Sequence, residues 1–200
     1  QKNFYSEANK LGYLVKNDLG DNYNVKLGAV QSGMIDLANP AARNWFKDLI
    51  KGQVIARGFS GWMCDFSESL PPDSLLYGGL AGRDFHNDYI EAWAKLNLEA
   101  IEETGLSDEA VFFCRAGYTQ SPGSARFFWQ GDQTVTWDRY DGLQSALIGL
   151  IGGGLSGYSL NHSDIGGYTG LNLGNIGMSR SSELLERWEE FSAFTPAFRT

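Results

Sequence analysis

Cysteine and histidine are nearly absent from these 200 residues, with two of each. Cys64 and Cys114 both lie inside apolar runs, which reads as a pair of buried thiols and argues against a disulfide framework. His86 and His162 have no ligand-like spacing to any cysteine, so no metal site is expected; His86, with Asn87, precedes a helical pattern and suits capping. Basic charge is also short. Sixteen Lys and Arg against 24 Asp and Glu leave a formal net charge of -8, which argues against nucleic acid and anionic membrane as partners. Long apolar runs are missing too: the best candidate, Ala146 to Leu155, is far shorter than the ~20 residues of a membrane span and is interrupted by glycine. Gln1-Lys2-Asn3-Phe4-Tyr5 carries neither an initiator Met nor a signal-peptide core, and a cytoplasmic setting is the expectation. Two catalytic signatures are also wanting. Gly152-Gly153-Gly154-Leu155-Ser156-Gly157 ends a helical pattern and is not followed by Gly-Lys-Ser/Thr, and no Gly-x-Ser-x-Gly occurs.

What is present is apolar and aromatic. Hydrophobic residues make up 42% of the chain and 6 Trp, 9 Tyr and 12 Phe supply many rings, enough for one sizeable core and one domain. Aromatic faces also suit stacking on the C–H faces of sugars, although most will be core. Along the chain, short β-like runs alternate with helical patterns. A strand-like segment from Ala29 to Leu37 leads to Asn39-Pro40, an N-cap with proline at the first helical position, and a helix to about Ile50. Ser60 to Asp65 reads as a strand, Asn87 to Glu103 as an amphipathic helix closed by Gly105, and Val111 to Arg115 and Phe127 to Gly131 as strands. A helix from Tyr140 to about Ile151, a strand near Gly157 to Leu160, and a last helix from Ser182 to about Phe194 complete the pattern. This order predicts an α/β fold with parallel strands and crossover helices. The strands are too few for a closed (β/α)₈ barrel, so a partial barrel covering its middle and later strands is expected.

The chemistry concentrates at strand ends. In Gly61-Trp62-Met63-Cys64-Asp65-Phe66-Ser67-Glu68 an apolar run ends in a carboxylate, and Phe127-Phe128-Trp129-Gln130-Gly131-Asp132 repeats the design. One such Asp alone fits a turn or cap as well as a catalyst. Two of them are the equipment of a glycosidase, and as a retaining pair their carboxyls would stand roughly 5–5.5 Å apart. Crowding by rings would favour the protonated form of Asp132, suiting a general acid, while Asp65 as an ionised nucleophile needs donors such as Ser67 and Trp62. Asn161-His162-Ser163-Asp164-Ile165-Gly166-Gly167-Tyr168 forms a third polar cluster whose glycines let backbone approach a ligand, or whose Asp164 caps loop amides. Arg115 ends a strand on the same side, as a ligand donor or as an ion-pair partner of Asp132 or Asp164.

In order, Trp62-Met63-Cys64-Asp65-Phe66-Ser67-Glu68, Arg115-Ala116-Gly117, Trp129-Gln130-Gly131-Asp132 and His162-Ser163-Asp164-Ile165-Gly166-Gly167 resemble the signatures of glycoside hydrolase family 31. The resemblance runs from Asp36-Leu37-Ala38-Asn39-Pro40 onward. It implies a (β/α)₈ barrel of which residues 1–200 form part, a retaining α-glycosidase, Asp65 as nucleophile and Asp132 as acid/base. It also implies Arg115, Trp129 and Asp164 in the sugar pocket, with Trp62 and His162 in the same motifs as substrate-binding candidates. Many members have Asn-Glu where this chain has Ser67-Glu68. The Asp-Phe-x-Glu-x-Leu-Pro, Trp-x-Gly-Asp-Gln and His-Ser-Asp-Ile-Gly-Gly-Tyr patterns look most like the sulfoquinovosidase branch, which implies release of a sulfonated sugar from its glycerol glycoside, with Tyr168 helping to bind the sulfonate. α-Glucosidase, α-xylosidase or a non-catalytic sugar-binding relative are the alternatives. The branch's sulfonate-binding Arg and Trp belong to earlier strands, and a pocket His follows segments like Phe194 to Thr200, so truncation at both ends is expected. The implied partner is a small-molecule glycoside, with no cofactor; oligomeric state is left open.

Overall fold

The computed structural model describes residues 3–27, 30–173 and 176–200, with backbone alone at 171–173 and 176. Packing divides the chain into two compact units: residues 1–112 with 116–125, and residues 113–115 with 126–200.

The first unit opens on helix α1 (Phe4–Leu11), an element not expected from the sequence pattern. Its signals are local: the Asn3 side chain accepts from the Ser6 amide at 3.0 Å, and Gly12 closes the helix at φ 70. An antiparallel hairpin follows, β1 (Asn24–Leu27) with β2 (Val30–Gly33), so the strand expected over 29–37 is shorter; Ala29 lies outside the described residues. Helix α2 (Pro40–Gln53) starts where Asn39-Pro40 predicts, Asn39 Oδ1 accepting from the Ala41 and Ala42 amides. Strand β3 (Gly61–Met63) precedes helix α3 (Gly82–Glu103), and strand β4 (Val111–Cys114) begins beside β3, the Val111 amide donating to Ser60 O. Helix α4 is a single turn, Ser121–Ser124. Val15, Leu37, Ile50, Leu70, Tyr89 and Leu96 form the core beneath α2 and α3. On the outer side, Arg43 grips Glu99 with two bonds of 2.8 and 2.9 Å, and Lys47 and Lys51 reach Glu103; Arg43, with Lys47 at 3.3 Å, holds the Glu99 carboxyl below its usual range.

In the second unit the end of β4 pairs in parallel with β5 (Phe127–Trp129), Phe113 opposite Phe127, and β5 pairs in parallel with β6 (Asn161–His162), Trp129 opposite His162. Helix α5 (Leu143–Leu155) is the crossover between β5 and β6. A hairpin of β7 (Leu171–Leu173) and β8 (Ile176–Met178) comes next, followed by helix α6 (Ser182–Ser192), capped by the Ser181 hydroxyl. Val135, Ala146, Ile165, Leu184 and Trp188 make its core, and the Trp188 indole donates to Ser163 Oγ at 2.9 Å. The strand expected near 157–160 lies a few residues later, because two buried polar residues, Asn161 and His162, carry the pairing. Parallel strands joined through helices make the chain α/β. Both cysteines are buried, and no helix among the described residues is long and apolar enough to cross a membrane.

Candidate active site

In the first unit, Asp65 leaves β3 one residue after the buried Cys64. The chain then turns sharply: Phe66 adopts φ 62, ψ 18, the one left-handed non-glycine residue among those described, and its amide donates to Asp65 Oδ1 at 2.8 Å. A left-handed Phe costs about 1–2 kcal/mol, strain of the kind proteins hold at functional positions. A cavity of about 270 Å³ opens there, lined by Asp65, Phe66, Ser67, Met34, Tyr89 and Trp93. Trp62, expected as a donor near Asp65 and as a sugar-binding ring, spends its indole N–H on Asn97 at 2.9 Å and stacks on Phe112. That sets it among the core rings of this unit, and its donor is not available to Asp65. His86, expected to precede a helix and cap it, lies inside α3 and meets the Leu70 carbonyl at 2.6 Å.

In the second unit the register gathers the predicted strand-end residues. Arg115 follows β4, Asp132 follows β5 past Gly131 at φ 84, and Asp164 follows β6. Arg115 Nη1 lies 3.4 Å from Asp132 Oδ2 and its guanidinium lies 5.7 Å from the Trp129 ring centre. The Asp132 side chain is 35% exposed and faces this cation; Trp129, whose ring was expected to crowd it, is itself 2% exposed. Asp164 is 2% exposed and bonded to Arg199 Nη1 at 2.5 Å. Burial pushes its carboxyl above the usual range while the Arg199 charge pulls the other way. Arg199 lies 5.0 Å from the Trp129 ring and 5.1 Å from Phe113, so the tryptophan sits within reach of two guanidiniums.

His162 is fully buried, tilted over Phe127 at 4.7 Å and edge-on to Phe113. Burial, reinforced by Arg199, lowers its pKa to about 4. The neutral ring with Nδ1 3.1 Å from the Phe128 carbonyl carries its proton on Nδ1, and Nε2 is buried without a hydrogen-bond partner among the described residues. Tyr168 is 64% exposed, held by its amide on the Gln133 carbonyl. The turn before it needs both glycines: Gly166 and Gly167 have φ 82 and 79, and Arg180 donates to their carbonyls. Sequence reading assigned no site role to Arg199 or Arg180: Arg199 stands in the Phe194 to Thr200 segment, which was read only for the residue that follows it, and only the chain's return brings each arginine to the loop. Among the described residues no group of three or more His, Cys, Asp or Glu gathers as a metal site.

These loops lie in a chain whose likeness to known proteins runs its whole length. Residues 1–200 match the glycosyl hydrolases family 31 TIM-barrel domain. The chain is 46% identical over 199 residues to a sulfoquinovosidase of Escherichia coli (strain K12), covering 100% of this chain and 29% of that protein. It is 28% identical over 193 residues to alpha-xylosidase XylQ of Lactiplantibacillus pentosus, covering 94% of this chain and 23% of that protein. A solved GH31 family sulfoquinovosidase from E. rectale, in complex with an aza-sugar inhibitor, superimposes with a TM-score of 0.91 at 41% identity, over 98% of this chain and 29% of that one. The chain thus spans less than a third of the length of these relatives, and with its parallel strands and strand-end carboxylates it belongs to the glycosyl hydrolase family 31 TIM-barrel domains.

Proposed function

We propose that the chain is part of the single catalytic barrel domain of a retaining α-glycosidase, and that its substrate is an α-sulfoquinovoside. The observation that carries the reading is the strand-end cluster of the second unit, where Arg115 meets Asp132 and Arg199 meets Asp164 around one tryptophan. Charged hydrogen-bonding groups beside a ring at the ends of parallel strands suit a polar, C–H-faced ligand such as a sugar. In the first unit, Asp65 opens on a cavity beside a strained Phe66.

The chemistry assigned is a double displacement. A carboxylate oxygen of Asp65 attacks the anomeric carbon as the bond to the leaving oxygen breaks, and Asp132 gives that oxygen its proton. Asp132, now a carboxylate, takes a proton from water, whose oxygen attacks the same carbon and releases Asp65. Two inversions give retention. The sulfonate preference is supported by the 46% identity to a sulfoquinovosidase and by Tyr168, whose exposed side chain stands beside the Gly166-Gly167 turn.

The test is turnover by the whole protein of 4-nitrophenyl α-sulfoquinovoside, with the first-formed sugar anomer followed by NMR. Expected is α-anomer first, with Asp65→Asn inactive. β-Anomer first would overturn the retaining mechanism. Faster release from the α-glucoside or α-xyloside would replace the sulfonated substrate with those of the wider family.

A further inference from the structure

We propose that Gln133 is a positioning residue for the acid/base: its side-chain amide closes the turn that carries Asp132, and so sets where the Asp132 carboxyl points when it gives up its proton. The inference rests on the glycosidase reading above, which assigns the proton transfer to Asp132 and gives Gln133 no part.

The Asp132 carboxyl is not held tightly by its own contacts. Its ion pair with Arg115 measures 3.4 Å, longer than the roughly 2.7–2.9 Å of a tight charged hydrogen bond, and the side chain is 35% exposed. The residue before it adds little restraint, since Gly131, at φ 84, is the residue type with the most backbone freedom. The direction in which Asp132 leaves β5 therefore depends on the groups that hold its backbone.

Gln133 supplies most of them. Its backbone amide donates to the Gly131 carbonyl at 3.2 Å, which makes Asp132 the middle residue of a three-residue turn. Its side chain then reaches back, Nε2 donating to the Gln130 carbonyl at 2.6 Å. In an ordinary β-turn a backbone amide closes the four residues; here that amide is spent on Gly131, and the side chain makes the closing bond. Gln130 is itself tied to β6, its amide donating to the His162 carbonyl at 2.9 Å, so the side-chain bond fastens the turn to the sheet. Gln133 is 8% exposed, and a hydrogen bond out of water is electrostatically stronger. From the other side, Thr169 Oγ1 donates to the Asp132 carbonyl at 3.2 Å. The Gln133 carbonyl accepts from the Tyr168 and Thr169 amides at 2.8 and 2.9 Å, so the turn of the acid and the loop bearing Tyr168 form one hydrogen-bonded piece. Proton donation needs the acid within hydrogen-bond reach of the leaving oxygen, and a misplacement of about 1 Å can cost about 10²-fold in rate.

The experiment measures kcat/KM in the whole protein on two substrates, the glycerol α-glycoside of sulfoquinovose and its 4-nitrophenyl counterpart. The proteins are wild type, Gln133→Met, Thr169→Val, Asp132→Ala and the Gln133→Met, Asp132→Ala double variant, with urea unfolding as the check on folding. Methionine keeps the length of the glutamine side chain and removes its donor. Gln133→Met is expected to lower kcat/KM on the glycerol glycoside by roughly ten- to a hundredfold, the loss from a misplaced acid. The aryl glycoside, whose leaving group needs no proton, should lose no more than about threefold. Thr169→Val should move the two rates in the same directions by a smaller factor, and it decides the point where Gln133→Met does not fold. In the Asp132→Ala background Gln133→Met should cost little further, because the group it aims is gone. A glutamine that serves the fold alone would slow both substrates alike. Equal losses on the two substrates, losses additive with Asp132→Ala, or folded variants within about twofold of wild type on both would overturn the proposal. Those results count against Gln133 alone when Asp132→Ala itself separates the two substrates. Where Asp132→Ala does not separate them, the acid assignment falls first and this proposal falls with it.

Discussion

Arg115 Nη1 and Asp132 Oδ2 stand 3.4 Å apart across the ends of β4 and β5, a loose ion pair in which the carboxylate stays 35% exposed. A carboxyl clamped at shorter range from both sides would be poorly placed to hand a proton to a leaving oxygen; one held from a single side keeps an oxygen open to ligand. Asp132→Ala should therefore lower kcat/KM on the glycerol glycoside by about 10²–10⁴, the usual worth of a general acid. It should affect an activated aryl glycoside much less, because a good leaving group needs no proton. Steady-state rates on both substrates decide the point, and equal losses on the two would remove Asp132 from the acid's role.

How far the sequence carried this reading depends on where each signal lay. Asn39-Pro40 marked a helix start because cap and proline act within three residues, and the Asn39 side chain makes the expected bonds. The start of α3 was missed by five residues: it begins at Gly82, a position that must be glycine because a Cβ there would lie 2.3 Å from the Pro71 carbonyl oxygen. β6 was misplaced because Asn161 and His162 have no strand-like pattern of their own; their pairing with β5 and the burial around them impose it. The strand-end carboxylates were legible as motifs. Arg199 was not, since its partner Asp164 is 35 residues away and no local pattern announces the contact.

Tyr168 offers a test of substrate choice that leaves the fold alone. Its side chain is largely exposed and its backbone is held by the Gln133 carbonyl, so Tyr168→Phe should leave the unfolding midpoint unchanged. A phenol hydroxyl bonded to a sulfonate is a hydrogen bond to a charged acceptor, worth roughly ten- to a hundredfold in kcat/KM. The ratio of rates on the α-sulfoquinovoside and the α-glucoside should narrow by about that factor in the variant. An unchanged ratio would take Tyr168 out of sulfonate recognition.

The Gly166-Gly167 turn makes a prediction about stability. A Cβ on Gly167 would stand 2.6 Å from the Thr134 carbonyl oxygen at φ 79, so Gly167→Ala meets both backbone strain and a backbone clash. Together these cost about 2–5 kcal/mol. Gly105→Ala is the control: φ is 73 there as well, but nothing lies within 4 Å of the added carbon, leaving strain of about 1–2 kcal/mol. Urea unfolding of the two variants should rank them in that order, and equal losses would mean that the contact with Thr134 is not maintained.

His162 ties stability to pH in a stated direction. Its folded pKa of about 4 lies below the 6.5 of an exposed histidine, so between those values the unfolded chain binds the proton that the folded chain refuses. The stability it contributes is complete above about pH 6.5 and is lost as pH falls toward 4; at 1.36 kcal/mol per pH unit the gap is worth roughly 3 kcal/mol. Asp164 works against this, because its carboxyl is raised by burial and favours the folded state at low pH, so the wild-type curve alone mixes the two. The contrast with His162→Gln separates them. Glutamine carries no titrating group, and Asp164 is common to both proteins. Urea midpoints measured from pH 7.5 down to 4.5 should fall more steeply for the wild type than for His162→Gln. Parallel curves would mean that the imidazole takes up its proton in the folded protein as readily as in the unfolded chain, which would contradict a ring closed in by Phe113, Phe127 and Arg199.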